Sequence, residues 1–288
     1  MSTTSGHLAD GSVHETRGLG AQVLRWQPPG HEPVLFAGER LPDVHPAHMG
    51  VPVVMPWFGN GPDGDLTPSH GYARQAPWTR LHLTTRDSSV EVSYRLDHET
   101  ASRVDGFDAG RGLLDATLDA SFGEDLTIAL TVTNAGRQVA EVELALHTYL
   151  RVGDVEQVRL SGLEDAAYLD KTAAGGPARC EADGEPLTVR GEVDRVYDSA
   201  AAVRVDDPVL RRVLTVSKDG SGSTVVWSPG ESRGEALTDL APGEWRGFVC
   251  VEAAAVGAHA VTLVPGASHV LTTRVEVARP GDVVDQED

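Results

Sequence analysis

The feature that most constrains the fold is a period-two alternation of large apolar residues with smaller or polar ones. Residues 126–133 have Leu, Ile, Leu and Val at every second position, and residues 113–122 follow the same pattern. This spacing gathers the apolar side chains on one face of a β-strand. No stretch of helical length carries a clean apolar stripe with capping signals at both ends. The sequence therefore predicts a mostly β protein.

Many further segments share the alternation and are bounded by Gly, Pro or Asp, as short strands are. The predicted strands are residues 21–26, 33–37, 51–55, 79–85, 90–96, 113–122, 126–133, 139–152, 187–197, 213–217, 224–227, 245–251 and a closing pair at 260–264 and 269–277. The two strands on either side of residues 86–89 are expected to form a hairpin. The three strands between residues 113 and 152 are expected to form a meander, because Gly-Glu-Asp and Asn-Ala-Gly separate them.

The number of domains does not follow from length, because 288 residues suit one large β domain or two smaller ones. No low-complexity linker or internal repeat divides the chain, so we predict a single all-β domain, a large antiparallel β-sandwich over residues 18–279. Residues 1–17 are polar, and residues 280–288 are polar and acidic. We expect both ends to be weakly ordered tails.

Charge and cysteine content limit the partners and the compartment. A net charge of −19 without a Lys- or Arg-rich block repels nucleic acids and anionic membranes. The first 20 residues lack the basic start and apolar run of a signal peptide, and no segment is apolar enough to cross a bilayer. Cys180 and Cys250 do not form a disulfide framework. We expect a cytoplasmic, monomeric protein with no nucleic-acid or membrane partner.

His147 is one candidate for proton chemistry. In the predicted strand 139–152 it lies opposite the main apolar face, together with Tyr149 and Arg151. An exposed histidine on a solvated sheet face is the simpler interpretation. Tyr149 and Arg151 on the same face favour a polar concavity instead, in which an imidazole can exchange protons near neutral pH.

Glu252 is the second candidate. It ends the apolar run 248–251 and is followed by three alanines. A carboxyl group held in apolar surroundings has a raised pKa, which suits a general base. Glu252 could equally lie in solvent beyond the strand end or pair with an arginine, and the periodicity alone leaves these interpretations open.

The segment Ser69-His70-Gly71-Tyr72-Ala73-Arg74 combines an imidazole, a glycine turn and a guanidinium in one short loop. This combination is typical of a small-molecule site. The neighbouring histidines do not match the ligand spacing of a zinc site, and the chain has no phosphate-cradling glycine loop and no nucleophile elbow. The histidines in question are His45, His48, His70 and His82. We expect no metal, nucleotide or flavin cofactor.

Short motifs follow one another in a fixed order along nearly the whole chain. They are Gly50-Val51-Pro52-Val53, Pro56-Trp57-Phe58-Gly59, the His70–Arg74 loop, Trp78, His147-Thr148-Tyr149, Gly162-Leu163, Tyr168-Leu169-Asp170-Lys171, Val193-Asp194-Arg195-Val196-Tyr197, Trp227-Ser228-Pro229, Asp239 and Cys250-Val251-Glu252. In order and spacing they resemble the aldose 1-epimerase (mutarotase) superfamily, and within it the hexose-6-phosphate mutarotase, or glucose-6-phosphate 1-epimerase, branch.

The resemblance implies a fold, a reaction and roles for five residues. The fold is the galactose-mutarotase-like supersandwich, with a sugar bound on a concave sheet face. Glu252 is then the general base that removes the proton of the anomeric hydroxyl, and His147 is the general acid at the ring oxygen. His70 donates a supporting hydrogen bond near that oxygen, while Arg74 and Asp194 contact the substrate.

Two positions depart from that branch. Where its members usually have Arg-Gly-Gly, with an arginine that helps to bind the sugar phosphate, this chain has His48-Met49-Gly50. Where the residue before the loop histidine is usually glutamine, this chain has Ser69. We expect His48 and Ser69 to contact the substrate, with His48 a weaker and pH-dependent substitute for a guanidinium.

The leading hypothesis is a cofactor-independent mutarotase for an aldohexose, in particular a hexose 6-phosphate such as glucose 6-phosphate. One alternative is a mutarotase for unphosphorylated aldoses, and another is a carbohydrate-binding or regulatory protein without catalysis. A glycoside hydrolase usually needs two carboxylates, and Glu252 alone stands out. Trp57, Trp78 or Trp227 could stack on the apolar face of a pyranose.

Overall fold

The computed structural model describes residues 3–8, 10–40 and 47–281. The strands in these ranges are, in chain order, β1 (Thr3–His7), β2 (Val13–Arg17), β3 (Val23–Gln27), β4 (Val53–Val54), β5 (Thr79–Thr85), β6 (Val90–Leu96), β7 (Leu114–Phe122), β8 (Leu126–Asn134), β9 (Ala140–Val142), β10 (Leu144–Leu146), β11 (Tyr149–Arg151), β12 (Arg159–Ser161), β13 (Tyr168–Asp170), β14 (Ala178–Cys180), β15 (Leu187–Thr188), β16 (Val193–Tyr197), β17 (Val203–Asp207), β18 (Arg212–Asp219), β19 (Ser223–Ser228), β20 (Phe248–Ala255), β21 (Val261–Leu263) and β22 (Ser268–Ala278). The α-helices are short, α1 (His98–Ala101) and α2 (Gly230–Ala236), and 3-10 turns occur at Ala73–Gln75, Ala109–Arg111, Glu244–Gly247 and Gly257–His259.

Two large antiparallel sheets make up most of the molecule. The nine-stranded sheet has the order β15-β12-β17-β18-β22-β8-β7-β6-β5. The eight-stranded sheet has the order β14-β13-β16-β19-β20-β10-β4, with β11 also paired to β20. A three-stranded sheet, β1-β2-β3, and the pair β21-β9 complete the fold. The predicted all-β antiparallel architecture is confirmed.

The main core lies between the two large sheets. In β8 each buried residue alternates with a partly exposed one, so Leu126, Ile128 and Leu130 all enter the core. From the eight-stranded sheet, Val249 and Val251 of β20 enter the same core. Burial of such apolar side chains is the main force that holds the two layers together.

The other face of the eight-stranded sheet holds the functional groups. Since side chains alternate along a strand, Glu252 lies on the face opposite to Val251 and Ala253, which pack in the main core. A small apolar cluster covers part of this second face, and its buried members are Val54, Ala145, Val225, Ala254 and Val256. We call this second face of the eight-stranded sheet the site face.

The strands joined by short turns have the predicted pairing. The hairpin of β5 and β6 has the predicted bounds, and Arg86 N donates to Ser89 O across its turn. The strands β7 and β8 pair along their full length. In each case the partner is the next segment of the chain, so local turn sequence and alternation determine the pairing.

The predicted single strand 139–152 is wrong, because it is three strands in the structure. The first, β9, pairs with β21, whereas β10 and β11 pair with β20. The chain leaves the β9 ladder at Glu143, whose carboxylate accepts hydrogen bonds from Phe58 N and Gly257 N. The predicted meander therefore ends with β8.

Two other strand predictions are wrong for similar non-local reasons. Residues 33–37 contribute only an isolated bridge between Leu35 and Leu150. Residues 187–197 divide into β15 and β16, which belong to different large sheets. The two predicted closing strands are confirmed as β21 and β22, of which β21 joins β9 and β22 lies between β18 and β8.

The expectation of a weakly ordered N-terminal tail is also wrong for the described residues. Strands β1 and β2 pair with each other, and β2 pairs with β3. The hydroxyl of Thr16 bonds the Tyr94 hydroxyl at 2.8 Å, and Arg17 Nη2 donates to Gln22 Oε1 at 2.5 Å. Backbone pairing and buried polar contacts order this segment without an apolar face. Most of the predicted C-terminal tail, residues 282–288, lies outside the described residues.

Candidate active site

A cavity of about 320 Å³ opens on the site face. The volume is in the range of small-molecule sites. All seven predicted site residues line it, namely His48, Ser69, His70, Arg74, His147, Asp194 and Glu252. The remaining lining residues are Phe58, Gly59, Asn60, Tyr149, Lys171, Val225, Trp227 and Arg233.

His147 and Glu252 meet at the floor of the cavity. His147 Nε2 lies 3.4 Å from Glu252 Oε1, and the two residues are only 7% and 1% exposed. The predicted strand 245–251 begins and ends too early, because β20 runs from Phe248 to Ala255 and includes Glu252, opposite Val225 of β19. The interpretations that left Glu252 in solvent or paired it with an arginine, and His147 on a solvated face, are therefore wrong.

Each residue of this pair has one buried polar atom without a hydrogen-bond partner. His147 Nδ1 and Glu252 Oε2 make no hydrogen bond to any described residue. The backbone of His147 is fixed, since its N–H donates to Pro52 O at 3.0 Å. A buried polar atom without a partner is costly, and such atoms cluster where a ligand supplies the missing partner.

Burial makes both groups of the pair favour their neutral forms. It raises the pKa of Glu252 well above its ordinary value, and the nearby charge of Asp194 raises this pKa further, while Lys171 and Arg74 lower it. Burial also lowers the pKa of His147 well below its ordinary value, and His70 and Arg74 add to that effect. Burial therefore disfavours the charged form of each partner of this contact.

His70 is fixed in one tautomer by the backbone of a neighbouring loop. Gly59 N donates to His70 Nδ1 at 3.2 Å, so the ring proton is on Nε2. Burial lowers the pKa of His70 to about 3, with smaller effects from Arg74 and Lys171. His70 is thus a neutral hydrogen-bond donor at the cavity wall.

The tight turn of this loop requires glycine after His70. Gly71 has φ +75°, and a Cβ atom there would lie 2.0 Å from Met55 O. The turn brings Arg74 back over the loop, where its Nη2 donates to Ser69 O at 2.6 Å. Arg74 Nε is buried and has no partner among the described residues. The loop therefore presents a restrained guanidinium to the cavity.

His48 is tied to an aspartate that was not predicted as a site residue. His48 Nδ1 lies 2.9 and 3.0 Å from the two carboxylate oxygens of Asp239, and His48 N donates to Oδ2 at 2.8 Å. The pKa of Asp239 is lowered on balance, because burial raises it but the hydrogen bonds from His48 outweigh that effect. The signal for Asp239 was its place among the ordered motifs.

Tyr149 and Trp227 form an aromatic wall next to His147. The rings of His147 and Tyr149 are stacked, with centroids 4.7 Å apart and planes 10° apart. Trp227 meets His147 edge-on at 5.8 Å. Trp57 and Trp78 lie in the core instead, where their indoles donate to Pro68 O and Ala73 O.

Two cations in the cavity were not predicted as site residues. Lys171 Nζ lies 3.2 Å from Asp194 Oδ2 and 5.0 Å from the centre of the Phe58 ring. Arg233 is 5.7 Å from the centre of the Trp227 ring. Lys171 belongs to one of the ordered motifs, but Arg233 lies in α2, for which the sequence carried no signal.

The residues that the structure describes contain no group of three or more His, Cys, Asp or Glu side chains that could hold a metal ion. No helix in the described ranges is long and apolar enough to span a membrane.

Comparison with known proteins identifies the family of this chain. Residues 9–276 match the family model described as aldose 1-epimerase. A relative from Escherichia coli (strain K12), named "Putative glucose-6-phosphate 1-epimerase", is 32% identical over 238 residues, which are 82% of this chain and 77% of the relative. A relative of the same name from Cenchrus ciliaris is 29% identical over 256 residues, 86% of this chain and 76% of the relative.

Solved structures share the fold. A crystal structure from Salmonella typhimurium described as a "putative mutarotase" superposes with a TM-score of 0.83 at 25% identity, over 96% of this chain and 90% of that one. One from Escherichia coli K12 described as a "Putative aldose 1-epimerase" has a TM-score of 0.72 at 12% identity, over 96% and 100% of the two chains. The chain therefore belongs to the aldose 1-epimerase family.

Proposed function

We propose that this protein is a mutarotase, an isomerase that interconverts the α and β anomers of an aldohexose, and that its substrate is a hexose 6-phosphate. The observation that carries the proposal is the buried pair of His147 and Glu252, 3.4 Å apart at the floor of a cavity of about 320 Å³. The names of the Escherichia coli and Cenchrus ciliaris relatives support the phosphorylated substrate.

Ring opening needs a base and an acid on neighbouring oxygens of the sugar. Glu252 takes the proton of the anomeric hydroxyl while His147 Nε2 gives a proton to the ring oxygen. The bond between C1 and the ring oxygen breaks, and C1 becomes an aldehyde. Rotation about the C1–C2 bond then turns the other face of the carbonyl toward the hydroxyl formed from the ring oxygen.

Reclosure reverses each proton transfer. Glu252 returns its proton to the carbonyl oxygen, and His147 removes the proton of the attacking hydroxyl. The C1–O bond re-forms with the opposite configuration, and no atom is gained or lost. The Nε2–H of His70 donates toward the ring oxygen, while Arg74 and Asp194 hold the sugar hydroxyls.

The pair requires only one proton in total. The form that opens the ring has a carboxylate and an imidazolium, and ring opening converts it to a carboxylic acid and a neutral imidazole. Burial favours the second form in the free protein. The site is therefore matched to the open-chain aldehyde, the state that must be stabilised between the two cyclic anomers.

A carbohydrate-binding protein without catalysis is less well supported. Such a protein needs hydroxyl-binding groups, but it gains nothing from a buried carboxyl and imidazole whose outer atoms lack partners. We also infer a reducing, cytoplasmic location, since Cys180 and Cys250 are both free thiols. The monomeric state stays a prediction.

The test is the rate of anomer exchange, measured by NMR with glucose 6-phosphate, glucose and galactose. We expect the wild type to accelerate exchange, and Glu252→Gln to reduce the acceleration about a hundredfold or more, because the amide cannot accept the anomeric proton. Glu141→Gln, the same change at an exposed position of β9, is the control and should keep the wild-type rate.

Two results would overturn the proposal. One is a wild-type protein that accelerates exchange of none of the three sugars. The other is a folded Glu252→Gln variant with the full rate, where folding is checked by circular dichroism.

A further inference from the structure

The cavity carries more positive charge than the chain as a whole. The protein has a net charge of −19, yet Arg74, Lys171 and Arg233 line the cavity. The acidic lining residues are Asp194 and Glu252, and Glu252 favours its neutral form. The local field therefore attracts an anionic substrate despite the acidity of the surface.

These cations lie at different depths. Lys171 and Arg74 are close enough to Glu252 to lower its pKa, so both lie near the reacting atoms. The side chain of Arg233 is 53% exposed, which puts it at the mouth of the cavity. The floor, in contrast, is formed by His147 and Glu252, which are almost fully buried.

A phosphate on the sugar belongs at the mouth. With the anomeric carbon facing His147 and Glu252, a doubly charged phosphate at the floor would be buried beside groups whose charged forms burial disfavours. At the mouth it keeps part of its hydration and meets a cation. The depth of the catalytic pair thus separates the reacting end of the substrate from its charged end.

Arg233 has the donors that such a phosphate needs. Its Nη1 donates to Glu192 Oε1 at 2.7 Å, and its other N–H groups make no hydrogen bond to the described residues. The guanidinium lies over the Trp227 ring, 5.7 Å from the ring centre, which restrains its plane. A planar guanidinium binds phosphate through two parallel hydrogen bonds.

The other candidate cations are less exposed than Arg233. His48 binds Asp239 through Nδ1 and through its backbone N–H, so a carboxylate already faces its ring. Lys171 pairs with Asp194, and Arg74 binds Ser69 O. Arg233 alone among these lining cations combines exposure at the mouth with several open donors.

We propose that Arg233 binds the phosphate of a hexose 6-phosphate at the mouth of the cavity, and that the phosphate displaces Glu192 from this arginine. The proposal rests on the mutarotase function proposed above and names the group that selects the phosphorylated sugar. Glu192 does not line the cavity, but it occupies one donor of Arg233 in the free protein. It therefore competes with the substrate for this guanidinium.

Three variants test this competition, and changes at Arg233 and at Glu192 should have opposite effects. Arg233→Gln removes the charged guanidinium and its paired donors. The ratio of kcat/KM for glucose 6-phosphate to kcat/KM for glucose should therefore fall about tenfold. Arg233→Lys keeps the positive charge but loses the two parallel donors of the guanidinium, so it should give an intermediate ratio. Glu192→Gln removes the competitor and should raise the ratio a few-fold.

Arg246 offers a matched control. It also pairs with a glutamate, with Nη1 2.6 Å from Glu156 Oε2, and it also lies over a tryptophan, 4.6 Å from the centre of the Trp245 ring. It does not line the cavity. Arg246→Gln changes the net charge as Arg233→Gln does and should leave the ratio unchanged.

The measurement is anomer exchange of glucose 6-phosphate and of glucose for each variant, with inorganic phosphate as a competitor of the glucose reaction. We expect inorganic phosphate to inhibit the wild type and to inhibit Arg233→Gln about tenfold more weakly. An unchanged substrate ratio in Arg233→Gln, an equal loss for both sugars, or equal inhibition by phosphate would overturn the phosphate site. Acceleration of neither sugar by the wild type would instead overturn the mutarotase function itself.

Discussion

At the scale of single residues, burial decides what each titratable group of the cavity can do. Glu252 and His147 are ordinary side chains in sequence, but their surroundings move their pKa values in opposite directions. His70 is held neutral, with its proton on Nε2, by burial and by the N–H of Gly59. The cavity thus contains one transferable proton and a fixed neutral donor.

The pH dependence of the reaction should report the charges around Glu252. The alkaline limb of kcat/KM lies where the catalytic pair loses its single proton, and this limb is set by the raised pKa of Glu252. Asp194 raises that pKa and Lys171 lowers it. Asp194→Asn should therefore move the alkaline limb to lower pH, and Lys171→Met should move it to higher pH.

The measurement is the pH profile of anomer exchange between pH 4 and pH 10 at low substrate concentration. Asp87→Asn, an exposed change in the turn between β5 and β6, is the control and should not move the limb. Shifts of both cavity variants in the same direction would contradict the role given to Glu252.

At the scale of elements, the loop from Ser69 to Arg74 depends on its backbone rather than on its side chains alone. Gly71 is the position at which the loop meets the β4 side of the site face, against the carbonyl of Met55. The turn sets where His70 and Arg74 enter the cavity. Gly71 has no side chain, but its turn therefore controls the positions of the His70 imidazole and the Arg74 guanidinium.

Gly71→Ala should lower both stability and activity. Alanine at φ +75° costs about 1–2 kcal/mol from backbone strain, and its Cβ would also have to displace Met55 O. Gly64→Ala is a matched control, because Gly64 has φ +77° and a Cβ atom added there would meet no atom within 4 Å. Denaturant unfolding and anomer exchange should show a larger loss for Gly71→Ala, and equal losses in the two variants would contradict this explanation.

At the scale of the whole molecule, the fold buries a carboxyl group whose ionised form is more stable in water. Below the ordinary Glu pKa of 4.5 both the folded and the unfolded protein bind the Glu252 proton. As the pH rises above this value, the unfolded chain loses the proton first, so the free energy of unfolding decreases until the raised folded pKa is passed. Glu252 therefore makes the whole protein less stable at higher pH.

Glu252→Gln should remove this loss. The variant should gain stability over the wild type as the pH rises above 4.5, by about 1.4 kcal/mol per pH unit until the folded pKa is reached. The measurement is urea unfolding of both proteins at several pH values, with Glu141→Gln as the exposed control. A stability difference that does not change with pH would contradict a buried, neutral Glu252.

Sequence alone determined the features that depend on neighbours along the chain. The alternation in β7 and β8, and the turn between β5 and β6, predicted those strands and their pairing, because each partner is the next segment. The type and order of the chemical groups, including His147 and Glu252, were also readable from the chain. Each of these features needs only local conformational preferences or a motif.

Tertiary structure alone decided the features that depend on distant contacts. It divided residues 139–152 among different strand partners, buried Glu252 inside β20, tied His48 to Asp239 and brought Arg233 to the mouth of the cavity. Burial and charge at a position come from side chains that are far apart in sequence, such as His48 and Asp239, which are 191 positions apart. A proton affinity or an ion pair is therefore fixed only when strands and loops from distant parts of the chain have come together on the site face.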